Sequence, residues 1–371
     1  MVDPSPHRYL KQGLALGVPE NVLRSAARQL QLSYAAEAGP ILSLRHLALL
    51  TGARYLYLRE VVQRQRDPYV DIYRPKKTGG TRLISAPEPV LMDVQRLILH
   101  RALGRDAGHQ ASYAYRKRRS IVMCAQQHLG MRWMLKFDLH DFFGQVSEKR
   151  VWHEFRARGY SPLVSLELAR ICTRAHSAPV RPSRTGRYPA IPSYDVHAIG
   201  WLPQGSPTSG ALANAVATPL DADLQELAMA YSYVYTRYSD DLVFSSAGPF
   251  NRQAAKVAID AVRELVRAHG FSLHHKKTRV VPPGARHVVL GLLVSEDSVR
   301  LTPEFRRRVE THVRGVARFG LAEHVRHRKF HSVLSFVNHV DGCLAFALDV
   351  EPQWAAEARE EWRSALALPV K

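Results

Sequence analysis

An α+β fold is what this sequence predicts, on three observations. Apolar residues recur at three- and four-residue spacing near both ends of the chain. Strand-like alternation bounded by turn residues fills the middle. Two short apolar strands run directly into carboxylates. With 371 residues, 46% of them hydrophobic and 23% charged, the chain can bury a large core divided over two or three subdomains.

The helical signal comes first. Leu10–Leu16 and Val22–Leu32 carry apolar residues on one face, and Ser43 stands where an N-cap is wanted before Leu44-Arg-His-Leu-Ala. The period then changes to two. Val70-Asp-Ile-Tyr-Arg and Thr81-Arg-Leu-Ile-Ser flank Pro75-Lys-Lys-Thr-Gly-Gly, which predicts a hairpin with a basic tip. A helix follows over Val90–Leu103. Trp133-Met-Leu-Lys-Phe-Asp reads as an apolar strand ending on Asp138. Residues 176–200 hold four prolines among Ser, Gly and Arg, and read as an irregular loop or insertion. Tyr231–Tyr238 and Asp241–Ser246 form strand arms around an acidic pair. Asn251–His269 is an amphipathic helix closed by Gly270, and His287–Val294 is a buried strand. Beyond Leu301 the chain turns helical and basic, with a last helix over Glu351–Leu368.

Charge narrows the partner. Lys and Arg number 52 against 33 Asp and Glu, a net of +19 with a pI near 10.1, so a polyanion is expected. By charge alone, nucleic acid, an anionic membrane face and plain solubility all remain open. The three cysteines lie far apart with no metal-binding spacing, which excludes a disulfide framework and a zinc knuckle and fits a cytoplasmic protein. The N-terminus lacks the pattern of a signal peptide. No continuous apolar run reaches the ~18–20 residues a membrane span needs.

The chemistry concentrates in two acidic motifs, Phe137-Asp138-Leu139-His140-Asp141-Phe142-Phe143 and Tyr238-Ser239-Asp240-Asp241. Adjacent carboxylates repel unless a cation neutralises them, and hard divalent ions prefer oxygen. On its own an Asp-Asp pair is as readily an exposed turn.

Together these motifs resemble the reverse transcriptases, and within them the bacterial retron-type enzymes. Tyr238–Asp241 resembles the YxDD box with Ser239 in place of the usual Ala, and residues 137–143 resemble FDLxxFF. Leu202-Pro203-Gln204-Gly205-Ser206-Pro207-Thr208-Ser209 resembles LPQGSPTSP with Gly210 for the last Pro. There Ser209 is placed to cap the following helix. Gly270–Thr278 resembles GFxLNxxKT with His274 for Asn. Two retron hallmarks are altered: Cys124-Ala-Gln-Gln-His128 stands for Asn-Ala-x-x-His, and Val289-Leu290-Gly291 for Val-Thr-Gly.

The resemblance implies a right-hand polymerase fold with fingers, a palm built on an antiparallel sheet, and a short helical thumb. It implies an N-terminal helical extension over 1–60, fingers over 61–130, palm over 131–150 and 201–299, a Pro-rich insertion over 151–200, and thumb over 300–371. It implies RNA-directed DNA synthesis from dNTPs with two Mg²⁺, or Mn²⁺, on Asp138, Asp240 and Asp241. Nucleotide contacts fall to Lys77, Arg82, Phe143, Gln204 and Lys277, with Phe143 against the sugar. Nucleic-acid contacts fall to His128 and Gly291 by resemblance. From interleaved aromatics and cations they fall to Tyr115, Arg116, Lys117 and Arg119, and from a basic helix over 304–329 to Arg307 and Arg314. His324 and His327 lie in that stretch without a third ligand.

The partners implied are a structured RNA that serves as template and primer, its DNA product, and a separate effector protein in phage defence; no membrane is implied. Two rivals remain, a non-retron defence-associated or group II intron-like reverse transcriptase, and a catalytically silent RNA-binding scaffold.

Overall fold

The computed structural model describes residues 6–35, 39–75, 79–104, 108–175 and 199–367, without the side chains of 6–9 and 32–35. Lys77 and nearly all of the Pro-rich loop lie outside the described residues. The chain divides into two compact units. The first comprises Met1–Arg118, Asp138–Gln225 and Val262–His274; the second comprises Arg119–Phe137, Glu226–Ala261 and His275–Lys371.

The first unit opens with α1 (Pro6–Ala15), α2 (Glu20–Ala35), α3 (Leu44–Thr51) and α4 (Tyr55–Val62). Ser43 caps α3 as expected, its hydroxyl accepting from His46 N, and Gly52 ends it at φ 71°. The hairpin is present: β1 (Tyr69–Pro75) pairs antiparallel with β2 (Thr81–Pro87), and Arg74 faces Arg82. α5 (Pro89–Arg101) follows with proline in its first turn. Two further helices of this unit, α7 (Glu148–Ala157) and α8 (Pro162–Cys172), were missed by the sequence reading. Both are nevertheless capped by serines, Ser147 and Ser161.

Charge is buried at the joint of α7 and α8. Glu148 Oε2 takes a hydrogen bond from Arg64 at 2.6 Å and from the Gly200 amide at 3.0 Å, and Oε1 takes one from Arg170 at 3.0 Å. All three side chains are 10% exposed or less. Burial alone would push the Glu148 carboxyl up, but Arg64 and Arg170 hold it below its ordinary value.

The second unit carries α6 (Ile121–Gln126) and a four-stranded sheet in the order β4-β5-β3-β6. Its strands are β3 (Trp133–Asp138), β4 (Val234–Tyr238), β5 (Asp241–Ser246) and β6 (Arg279–Val281). β4 starts later than expected because Tyr231–Tyr233 form a turn with Ser232 at φ 55°. The single buried strand expected over 287–294 is instead a hairpin, β7 (Val288–Val289) and β8 (Leu292–Val294), extended by β9 (Val299–Leu301). Leu290 and Gly291 cause the reversal: both are left-handed, at φ 50° and 83°, which is the pattern of a type I′ turn.

The remaining helices are α9 (Ser209–Ala230), α10 (Arg252–Ala268, close to the expected 251–269), α11 (Pro303–Phe319), α12 (Leu321–His327), α13 (Val333–Val350) and α14 (Pro352–Ala367). The expected continuous basic helix over 304–329 is two helices, because Gly320 takes φ 80°, ψ 157°. α13 is long and apolar enough to cross a membrane by length and composition, which the sequence reading missed because Asn338, His339 and Asp341 interrupt its apolar run. Its Phe336, Val340 and Leu344 are buried with Val309, Val313 and Trp362. His312 Nδ1 meets His324 Nε2 at 3.2 Å inside this cluster, so His324 is a core residue.

Removing Arg64 strands a buried carboxylate. Arg64→Leu is expected to destabilise the protein by about 3–5 kcal/mol, read as a shift in the denaturant midpoint.

Candidate active site

The acidic pair sits at the tip of the β4–β5 hairpin. Tyr238 pairs with Asp241, leaving Ser239 and Asp240 as a two-residue turn, with Ser239 at φ 59°. Arg237, completely buried, donates to the Ser239 carbonyl at 3.0 Å and so fixes the turn from below. Tyr235 stacks on Phe244, and Phe137 meets the same ring edge-on at 5.8 Å.

Strand alternation then sorts the side chains. Met134 and Val243 pack in one core cluster, so Lys136 and Asp138 of β3 share a face with Ser245 and Asp241 of β5. Lys136 donates to the Val288 carbonyl at 3.0 Å. Burial draws its ammonium below the ordinary value, while Asp241 opposes that shift. Asp138 closes β3 and is 8% exposed; Asp240 and Asp241 are half-buried.

His128 overturns one expectation. It is not on a nucleic-acid surface: it is 0% exposed, with Nδ1 2.6 Å from Ser245 Oγ and Nε2 2.8 Å from Thr236 Oγ1. Cys124 Sγ reaches the same Thr236 hydroxyl at 3.4 Å. Burial takes the His128 imidazole down to about 4, with Lys136 adding to the shift, and pushes the Cys124 thiol up to about 11. A motif-to-role transfer put His128 outside. Its place next to the buried Cys124 and Ala125 was the signal that could have put it inside.

In the first unit, the chain after β3 runs beside Gly270–His274. His274 N donates to the Asp138 carbonyl at 2.7 Å, and His140 N to Ser272 O at 2.8 Å. Lys277, which belongs to the second unit, lies on an exposed 3-10 turn over His275–Lys277. Phe142 is buried against Phe271, which leaves Phe143 half-buried with its ring 6.0 Å from Tyr115, edge-on.

The Leu202–Ser209 loop is held close to β2. Ser85 N donates to the Gln204 carbonyl at 2.7 Å, and Gly205 sits at φ 127° where a Cβ would lie 2.8 Å from Ser85 O. Gln204 is exposed as a result. Against expectation, Ser209 does not precede the following helix as its cap: α9 (Ser209–Ala230) begins with it, and its hydroxyl donates to Pro203 O at 2.7 Å. Asn214 of α9 is buried and donates to the Ala114 carbonyl at 2.7 Å. Gly210 leaves no room for a Cβ, which would overlap the Tyr115 ring.

The cations differ in what they do locally. Arg82, Lys117, Arg307 and Arg314 are exposed, the last paired with Glu310 at 2.7 Å; Arg307 and Arg314 lie seven apart on α11. Arg116 donates to the His109 and Ser112 carbonyls, so its guanidinium shapes its own loop. Arg119 is half-buried, and Gly291 is exposed in its turn. Among the described residues no three His, Cys, Asp or Glu side chains form a ready metal cage. The donor chemistry of Asp138, Asp240 and Asp241, all carboxylates on one sheet, still suits a hard divalent ion.

A family model described as reverse transcriptase (RNA-dependent DNA polymerase) matches residues 74–301. The chain is 35% identical over 234 residues to the retron Mx162 reverse transcriptase of Myxococcus xanthus, covering 61% of this chain and 47% of that protein. It is 34% identical over 292 residues to the retron Mx65 reverse transcriptase of the same organism, covering 77% and 62%. With the retron Ec86 reverse transcriptase of Escherichia coli it shares 27% over 283 residues, 76% of each. The chain thus spans about half to three fifths of the two Myxococcus relatives.

The Gly210 contact yields a test. Gly210→Pro, which restores the residue usual in the resembling motif, should drive Tyr115 away from Phe143. The Tyr115 ring becomes more solvent-exposed, measurable as faster modification of that tyrosine, and the protein loses about 1–3 kcal/mol of stability.

Proposed function

The chain belongs to the reverse transcriptase family, and we propose that it acts as a retron-type RNA-directed DNA polymerase. It would copy a dedicated structured RNA into single-stranded DNA, priming from an RNA 2′-OH. The observation that carries this reading is the braced β4–β5 hairpin presenting Asp240 and Asp241 in one sheet with β3, which ends on Asp138. Nothing in a solvated acidic turn would require a completely buried arginine beneath it.

Asp138, Asp240 and Asp241 would hold two Mg²⁺ ions, or Mn²⁺. When bound, such ions activate the attacking hydroxyl and offset charge on the departing pyrophosphate. The chain's own residues position the substrates. Arg82 at the hairpin end, with Lys77, would meet the triphosphate by charge-assisted hydrogen bonds, and Lys277 the leaving pyrophosphate. Gln204 would contact the nucleotide sugar, and Phe143, backed by Phe142 and Tyr115, would exclude a 2′-OH. Tyr115, Lys117, Arg119 and Gly291 would meet template and primer, with Arg116 holding the loop in shape. Arg307 and Arg314 would follow the duplex through its phosphates. A separate effector protein in phage defence, and a cytoplasmic setting, belong to the same proposal.

A second reading, a reverse transcriptase outside the retrons, has the altered Cys124 and Leu290 positions in its favour. Sequencing the nucleic acid that copurifies with the protein separates the two: a 2′-branched RNA–DNA supports the retron reading, and an unbranched product rejects it.

Two substitutions test the chemistry. On a primed RNA template, Asp240→Asn should lower dNTP incorporation by at least about 10³-fold with primer binding retained. Phe143→Ala should raise ribonucleotide use relative to deoxynucleotide by about 10–100-fold, read as the ratio of the two kcat/KM values.

A further inference from the structure

The buried group that the proposed chemistry does not use is His128. Its ring bridges the two strands of the acidic hairpin: Thr236 lies on β4, Ser245 on β5, and the two hydroxyls are 2.8 and 2.6 Å from opposite ring nitrogens. In the hairpin register Thr236 pairs with Val243 and Val234 with Ser245, so Thr236 and Ser245 are diagonal neighbours on one face. That face also carries Asp241. Thr236, Ser245, Cys124 and His128 are each 2% exposed or less.

We infer that His128, with Cys124 beside it, is a positioning residue for the Asp240–Asp241 turn, clamping β4 to β5 so that both carboxylates are presented to a divalent cation. The inference deepens the polymerase reading and rests on it.

The physical reason is register. A hairpin that slips by one residue turns its side chains to the opposite face, which would carry Asp241 away from Asp138's face of the sheet. One imidazole can reach both hydroxyls only in the register observed. A neutral imidazole gives a hydrogen bond from one nitrogen and takes one at the other, so both hydroxyls are served without a buried charge. Cys124 of α6 steadies the Thr236 hydroxyl from the side, and the turn that follows α6 delivers His128, whose N donates to Ala125 O at 3.0 Å. From the other face Arg237 pins the Ser239 carbonyl. The hairpin is thus gripped on both faces, at its shaft and at its tip.

The bland reading is a satisfied core histidine that contributes stability alone, and the experiment is built to separate the two. Full-length wild type, His128→Leu and His128→Asn are compared by thermal melting, by Mn²⁺ titration followed by electron paramagnetic resonance, and by fluorescence anisotropy of an RNA template–DNA primer duplex. His128→Leu should raise the half-saturating Mn²⁺ concentration by about tenfold or more, with duplex affinity unchanged. His128→Asn, which keeps a partner for Ser245, should recover part of that loss.

An unchanged Mn²⁺ midpoint with a lower melting temperature overturns the inference in favour of stability alone. Weaker duplex binding at an unchanged Mn²⁺ midpoint overturns it in favour of a nucleic-acid contact. A wild-type chain that binds no Mn²⁺ also overturns it. Should His128→Leu not fold, Thr236→Val and Ser245→Ala each remove one hydrogen bond, and unchanged Mn²⁺ midpoints in both reject the inference. Wild type that binds Mn²⁺ but extends no primer rejects the polymerase reading alone, and the titration still decides the role of His128.

Discussion

Two like charges on consecutive residues of a tight turn are the constraint around which the second unit is built. Like charges placed so close repel unless a cation or a fixed positive group offsets them. A lone two-stranded hairpin is marginal in water, so it cannot absorb that cost alone. The structure supplies reinforcement from several directions. Arg237 brings a positive group under the turn, Tyr235, Phe244 and Phe137 pack one face, and His128 ties the strands on the other. A completely buried arginine is expensive to desolvate, and its use here shows how much the turn depends on a fixed backbone.

The first unit follows the same logic with different parts. Glu148 gathers Arg64, Arg170 and the Gly200 amide into one buried node, and the Gln204 loop leans on Ser85 so closely that only glycine fits at 205. Buried polar networks of this kind stabilise little per bond, but they admit few alternative arrangements. Gln204 and Phe143, proposed above to meet the nucleotide, are left exposed and half-buried respectively on backbone that is held firmly. Rigid mounting with exposed chemistry is what a site must have if its substrates are to arrive already oriented.

Much of this was legible in the sequence, for a physical reason. Period-two alternation on each side of Ser239-Asp240 and of Lys76–Gly80 announces hairpins, because alternation and turn chemistry are local properties. The helical character after Leu301 and the last helix were legible as well, but the break at Gly320 and the division into α11, α12 and α13 were not. What the sequence hid was long-range. α8 is buried on several sides and α6 is only six residues long, so no clean stripe marks either; α7 does bury one face, at Val151 and Phe155, and its stripe was overlooked. The turn at Leu290-Gly291 was masked by the apolar residues around it. His128 was misread because its role was carried over from the resembling Asn-Ala-x-x-His motif, whereas its hydroxyl partners, Thr236 and Ser245, lie more than a hundred residues away.

The departures from the resembling motifs become intelligible in the same terms. Gly210, where proline is usual, makes space for Tyr115, which in turn packs on Phe143. Cys124, where asparagine is usual, still reaches Thr236. His274 meets Asp138 through its backbone amide, and its ring lies 6.0 Å from that of His140. Leu290 takes φ 50°, a conformation that a β-branched threonine would bear at greater cost. Ser239 also takes a left-handed φ, and its carbonyl rather than its side chain meets Arg237. Each altered position therefore has a local role of its own in this chain, as a contact or as a backbone conformation. Altered hallmarks of this kind leave Asp138 and Asp241 on their strands and Asp240 in its turn, so the carboxylate arrangement does not depend on them.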